Sequence, residues 1–187
     1  MNFIDTYLYF SSFKTKSKLT RVCLKPALLI FLTLSTFLLS CGQNESNKLV
    51  IYQSFSEFEQ ELTKADDKIH VVNFWATWCK PCVKELPYFE QLHENYKDKS
   101  VEVNLVSIDR KNQIETHLKP FIKKHNLQSR QLLLLDRESN EWMPKVDEIW
   151  SGGIPVTVIY NKDDRIFLDF AFSDYQELEL YLNQFTK

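Results

Sequence analysis

Cysteine is scarce in this chain of 187 residues: there are four, Cys23, Cys41, Cys79 and Cys82. So few thiols exclude the disulfide framework that staples small secreted domains together. Histidine is as sparse, and His70, His93, His117 and His125 show none of the CxxC…HxxxH pairing that builds a four-ligand zinc site. Val83 stands directly after Cys82, where covalent haem attachment requires a histidine. There is no basic excess: 23 Lys and Arg against 25 Asp and Glu give a formal charge of −2, which argues against nucleic acid as a partner. No apolar run is long enough to cross a bilayer comfortably, and there is no internal repeat or low-complexity tract.

The longest apolar run lies near the start. Lys14, Lys16, Lys18, Arg21 and Lys25 precede the stretch from Ala27 to Leu39, the order of charge and hydrophobicity that a secretory signal needs. Residues 1–40 therefore read as a cleaved targeting segment, and Cys23 falls inside it without a role. Leu38-Leu39-Ser40-Cys41 resembles the lipobox of bacterial lipoproteins. That resemblance implies lipidation of Cys41, which would become the mature N-terminus at a membrane surface. Residues 41–47 are short and polar, as a tether should be, and residues 48–187 are left as one domain with a single core. Residues 1–40 hold five basic residues and one acidic, so their removal moves the formal charge from −2 to −6.

Within the domain, strands are expected at 49–52, 69–76, 101–108, 131–135, 155–160 and 165–170. Ser54 and Glu57 read as a capping box before Phe55, Phe58 and Leu62 at helical spacing. Further helices are expected at 80–96, around Ile114, Leu118, Phe121 and Ile122 with a bend at Pro120, at 139–149, and from Tyr175 to Phe185. The alternation predicts an α/β fold: a mixed sheet covered on both faces by helices.

With Cys41 assigned to lipid, Cys79 and Cys82 remain for chemistry. They open a helical pattern just after an apolar strand, three residues apart. A sulfur at a helix start faces unpaired N–H groups and the positive end of the helix dipole, which favours its thiolate. Cys79 is thus expected to be the nucleophile, and Cys82, one turn inward, the resolving thiol. Lys80 adds positive charge beside the pair, and Pro81 suits the first helical turn because its missing N–H would have been unpaired. A purely structural bridge would close too small a loop to add much stability.

Phe74-Trp75-Ala76-Thr77-Trp78-Cys79-Lys80-Pro81-Cys82-Val83-Lys84-Glu85-Leu86-Pro87 and Gly153-Ile154-Pro155-Val156-Thr157 resemble the thioredoxin superfamily, within it the TlpA-like and ResA-like extracytoplasmic branch. The resemblance implies a thioredoxin fold with a helix-and-strand insert at about 112–136. It implies a thiol:disulfide oxidoreductase with no cofactor beyond the redox-active Cys79–Cys82 disulfide. Disulfide-containing proteins would be its substrates, and a membrane electron donor its source of reducing power. Glu85 would handle protons near the thiols, and Pro87 would kink the helix. Trp78, Ile154 and Pro155 would bind substrate, with a cis Ile154–Pro155 bond exposing backbone to an extended segment. Trp75 and Trp78 read as core and rim aromatics. Asn73 departs from thioredoxin, which has a buried aspartate there; an amide cannot titrate, leaving Glu85 or solvent to move protons. The branch favours reduction, with apocytochrome c thiols its best-known targets. An oxidase or isomerase, or a tethered non-enzymatic adaptor, are the alternatives.

Overall fold

The computed structural model describes residues 48–186, so the targeting segment, Cys41 and the tether lie outside the described residues. Six strands form one sheet: β1 (Val50–Tyr52), β2 (Ile69–Trp75), β3 (Val101–Ser107), β4 (Arg130–Leu134), β5 (Val156–Tyr160) and β6 (Arg165–Leu168). Their spatial order is β1-β4-β3-β2-β5-β6. The first four run parallel, whereas β5 pairs antiparallel with β2 and β6 antiparallel with β5. Consequently the ends of β1, β4, β3 and β2 and the start of β5 all lie along one edge of the sheet.

The central strands are buried on both faces, which is why apolar residues stand at successive positions of β2, Val71-Val72 and Phe74-Trp75, with His70 and Asn73 the buried polar exceptions. Val71 and Trp75 pack with Leu86, Phe89 and Leu92 of α2 (Lys80–Tyr96) and with Leu178 and Leu182 of the closing helix Tyr175–Leu182. On the opposite face Val72 and Phe74 meet Phe55 and Phe58 of α1 (Phe55–Phe58) and Trp142 and Val146 of the helix Ser139–Val146. Helices therefore cover both faces, as the strand and helix alternation requires.

The insert between β3 and β4 departs from expectation in one respect. Ile114–Leu118 forms a single π turn in which the Lys119 N–H bonds the Ile114 carbonyl, and α3 (Lys119–Lys124) follows it. The change of helical register thus falls before Pro120. The proline sits at the start of α3, directly after the π turn. The Ser54 cap is also altered: its hydroxyl accepts from the Glu57 N–H, but the Glu57 carboxylate reaches back one residue further, to the Gln53 N–H. The remaining helices are α4 (Ser139–Val146) and α5 (Tyr175–Leu182), each stopping three residues short of its expected end.

Phe74 is fully buried, with ring centroids 5.7 Å from Phe58 and 4.9 Å from Trp150. Phe74→Ala should therefore cost about 3–5 kcal/mol in urea unfolding through a lower midpoint at unchanged slope. A loss below about 1 kcal/mol would contradict this packing.

Candidate active site

Residues 76–79 leave β2 in a tight turn, closed by the Cys79 N–H on the Ala76 carbonyl at 3.0 Å, and α2 begins at Lys80. Cys79 is the N-cap: extended in backbone, it accepts the Cys82 N–H on Sγ at 3.3 Å. The sulfur thus occupies the place where a helix start presents free donors. Cys79 and Cys82 form a disulfide with their Cα atoms 5.3 Å apart. Cys79 keeps 6% of its surface exposed while Cys82 has none, so attack from outside meets Cys79 first. Lys80 and Pro81 are exposed on the first turn of α2, and Trp78 stands at the rim with 58% of its surface in solvent. Trp75 is fully buried. Pro87 lies inside α2, where it removes the N–H that the Val83 carbonyl would otherwise receive.

The second motif reaches the same place from the far side of the sheet centre. Asn73 lies opposite Thr157 and Phe74 opposite Val156, which sets Pro155 level with the end of β2. The Ile154–Pro155 bond is cis, and the Ile154 carbonyl oxygen lies 3.6 Å from Cys79 Sγ. Two features hold this loop. Trp150 donates its indole N–H to the Gly153 carbonyl at 2.7 Å, and Gly152 adopts φ +98°, a conformation strained for any side chain.

Beneath the sulfurs lies Glu85, one turn after Cys82 on the inward face of α2 and fully buried. It accepts from Asn73 Nδ2 at 2.9 Å and from the Phe172 N–H at 2.8 Å, and no cation pairs with it among the described residues. Burial penalises its charged form more than these two donors favour it, so its pKa rises to about 7. Asn73 also donates to Thr157 Oγ1 at 3.1 Å, which ties β2, α2 and β5 together through one amide. Among the described residues no group of three His, Cys, Asp or Glu is arranged to hold a metal ion.

A profile of the AhpC/TSA family matches residues 53–168. The chain belongs to that family. Thiol-disulfide oxidoreductase ResA of Bacillus cereus is 32% identical over 128 residues, covering 67% of this chain and 68% of the relative. Among solved structures, a secreted thiol-disulfide isomerase from Corynebacterium glutamicum superposes with a TM-score of 0.54 at 16% identity, over 71% of this chain and 75% of that one. A secreted disulfide oxidoreductase from Mycobacterium tuberculosis gives 0.51 at 20%, over 67% and 98%. At these identities the structural matches speak for the thioredoxin-like fold alone.

The sequence reading of this AhpC/TSA-family protein missed three participants. Asp109, fully buried, accepts from the Thr77 N–H at 3.0 Å, the Thr77 hydroxyl at 2.7 Å and the Ser107 hydroxyl at 2.8 Å, and so anchors the turn that carries Trp78 and Cys79. Thr157 and the Phe172 N–H complete the surroundings of Asn73 and Glu85. Asp109 follows the end of β3 by two residues, and no local signal in the sequence ties it to Thr77.

Glu85 gives a pH prediction. Its folded pKa lies above the ordinary 4.5, so its neutral form stabilises the fold fully below pH 4.5, and that contribution is lost as pH rises towards about 7. Relative to Glu85→Gln, the wild-type protein should lose on the order of 2–3 kcal/mol of unfolding free energy between those limits. Parallel curves for the two proteins would show an ordinary carboxylate.

Proposed function

We propose that this chain, a thiol-disulfide oxidoreductase of the ResA type, reduces disulfides in exported polypeptides while held by lipid on Cys41 at the extracytoplasmic, periplasmic side of a bacterial membrane. The observation that carries the reading is the placement of the partly accessible Cys79 sulfur 3.6 Å from the Ile154 carbonyl beside cis-Pro155, with the enclosed Cys82 bonded to it. The basic segment, apolar run and Leu38-Leu39-Ser40-Cys41 of the N-terminal region support export and anchoring.

In the reduced protein the Cys79 thiolate attacks one sulfur of a substrate disulfide. A mixed disulfide forms and the other substrate sulfur leaves as a thiolate. Cys82 then attacks Cys79 Sγ, the second substrate thiol is released, and the protein is left with its Cys79–Cys82 bond while the substrate has gained two electrons and two protons. A membrane electron donor restores the dithiol. Each cycle thus needs a proton acceptor for Cys82 and a proton source for the leaving thiolates. Glu85, with a pKa about 7 and one turn from Cys82, is matched to both tasks at neutral pH, where Asn73 cannot titrate.

Substrate is held by its backbone. The Ile154 carbonyl faces a disulfide sulfur that has no proton to give it, so it is free to accept an N–H from an extended segment lying beside Cys79. Trp78 supplies an apolar rim, and Lys80 with Pro81 tunes the dithiol from the first turn of α2. Apocytochrome c cysteines awaiting haem are the substrate class favoured by the resemblance to the ResA-like branch.

Cys82→Ser should accumulate a mixed disulfide on Cys79 when the reduced variant meets an oxidised peptide carrying a Cys-x-x-Cys-His sequence, seen as a mass increase equal to the peptide. Cys79→Ser should not. Equal trapping by both variants, or by neither, would contradict the assigned roles.

A further inference from the structure

Beside the dithiol, at the edge where β2, β3 and β4 end, the loops 76–79, 108–112 and 135–139 enclose a groove of about 710 Å³. Crevices at the carboxyl ends of parallel strands are where open α/β sheets take ligands, and this volume lies in the range of ligand clefts. Trp78, adjacent in the chain to Cys79, forms one wall, with Met143 and Asn112 among the others. Arg110 and Arg137 both line the groove.

The charged groups here are arranged in a specific way. Two carboxylates stand among these loops and keep their charge while accepting from other donors: Asp109 from Thr77 and Ser107, and Asp136, which itself lines the groove, from the Phe55 N–H at 2.9 Å and the Glu138 N–H at 2.9 Å. Neither guanidinium has a carboxylate oxygen within ion-pair distance among the described residues, whereas Arg130 is paired with Glu61 at 2.8 Å. Arg137 is held in place, donating to the Ile108 carbonyl at 3.2 Å and the Asp109 carbonyl at 2.9 Å. Burial first, and the Arg110 charge second, lower the Arg137 pKa, while the Asp109 charge opposes them.

We infer that Arg110 and Arg137 form a specificity subsite that takes acidic side chains flanking the target cysteine of a polypeptide substrate. The inference rests on the oxidoreductase reading and names a feature of its substrates. A segment paired along Ile154 with its cysteine at Cys79 extends over Trp78 into the groove, where two guanidiniums await carboxylates. Arg137, fixed by main-chain carbonyls, presents its charge already oriented, and the Asp109 to Thr77 bonds connect that charge rigidly to the Cys79 turn.

The test uses disulfide-bearing peptides of one sequence in which two flanking residues are Asp, Asn or Lys. Reduced protein should react with the Asp peptide about ten-fold faster than with the Asn peptide and slowest with the Lys peptide, and the advantage should shrink at 1 M salt. In the double variant Arg110→Gln, Arg137→Gln, the Asp and Asn peptides should react at equal rates. Lys162→Gln, at the opposite edge of the sheet, should keep the wild-type ratio. Binding of cysteine-to-serine versions of the peptides to Cys79→Ser, Cys82→Ser protein supplies the same comparison without chemistry. A preference for Asp in binding alongside no reaction with any peptide would uphold the subsite and sink the reductase reading. Equal rates and affinities for Asp and Asn peptides in the wild-type protein, or an Asp preference that survives loss of both arginines, would overturn the inference. Equal preference for oxidised glutathione and the Asp peptide would overturn it too, by pointing to a small anion in place of a polypeptide.

Discussion

The antiparallel pairing of β5 with β2 is the constraint from which the site follows. Its register puts Phe74 opposite Val156 and Asn73 opposite Thr157. The first pair brings Pro155 level with the turn that carries Cys79, so that a carbonyl and a sulfur separated by 75 residues in sequence come within 3.6 Å. The second pair aligns Thr157 Oγ1 with the Asn73 amide, and that amide in turn receives Glu85 from α2. A slip of one residue would reverse the facing of every β5 side chain and disband both arrangements at once.

Two buried glutamates show how differently the same fold treats one side chain. Burial would raise the pKa of Glu61, but Arg130, Tyr52 and Lys64 surround its carboxylate and hold it at about 2. Glu85 meets only an amide and a backbone N–H, and burial prevails, lifting it to about 7. The first arrangement fixes a charge and serves structure at the sheet edge away from the sulfurs. The second leaves a carboxyl that changes state near neutral pH one turn from a thiol, the condition a proton-exchanging group has to meet. Partners, more than burial, separate the two outcomes.

Much of this was legible in the chain. Val71-Val72 and Phe74-Trp75 put apolar side chains on both faces, as a strand in the middle of a covered sheet requires, and the cysteine pair follows them; in β3, Val101, Val103 and Leu105 alternate with Glu102 and Asn104 before Val106. The cis Ile154–Pro155 bond was legible only through the resemblance carried by Gly153-Ile154-Pro155-Val156-Thr157. Less legible were contacts that depend on where distant segments land. Nothing local marks Asp109 as the anchor of Thr77, 32 residues away, or the Phe172 N–H as a donor to Glu85. The π turn before Pro120 escaped because hydrophobic spacing cannot distinguish a bent α-helix from one that changes register. The two arginines of the groove were invisible for the same reason as Asp109: only the parallel arrangement of β3 and β4 brings their loops together.

The central claim is that β5 and β2 together present the Ile154 backbone to whatever is joined to Cys79. A structure of a peptide linked through its cysteine to Cys79 tests it most directly. The peptide backbone should lie extended alongside Ile154, hydrogen-bonded to its carbonyl next to cis-Pro155. A bound peptide lying away from that loop, attached by its sulfur alone, would contradict the account.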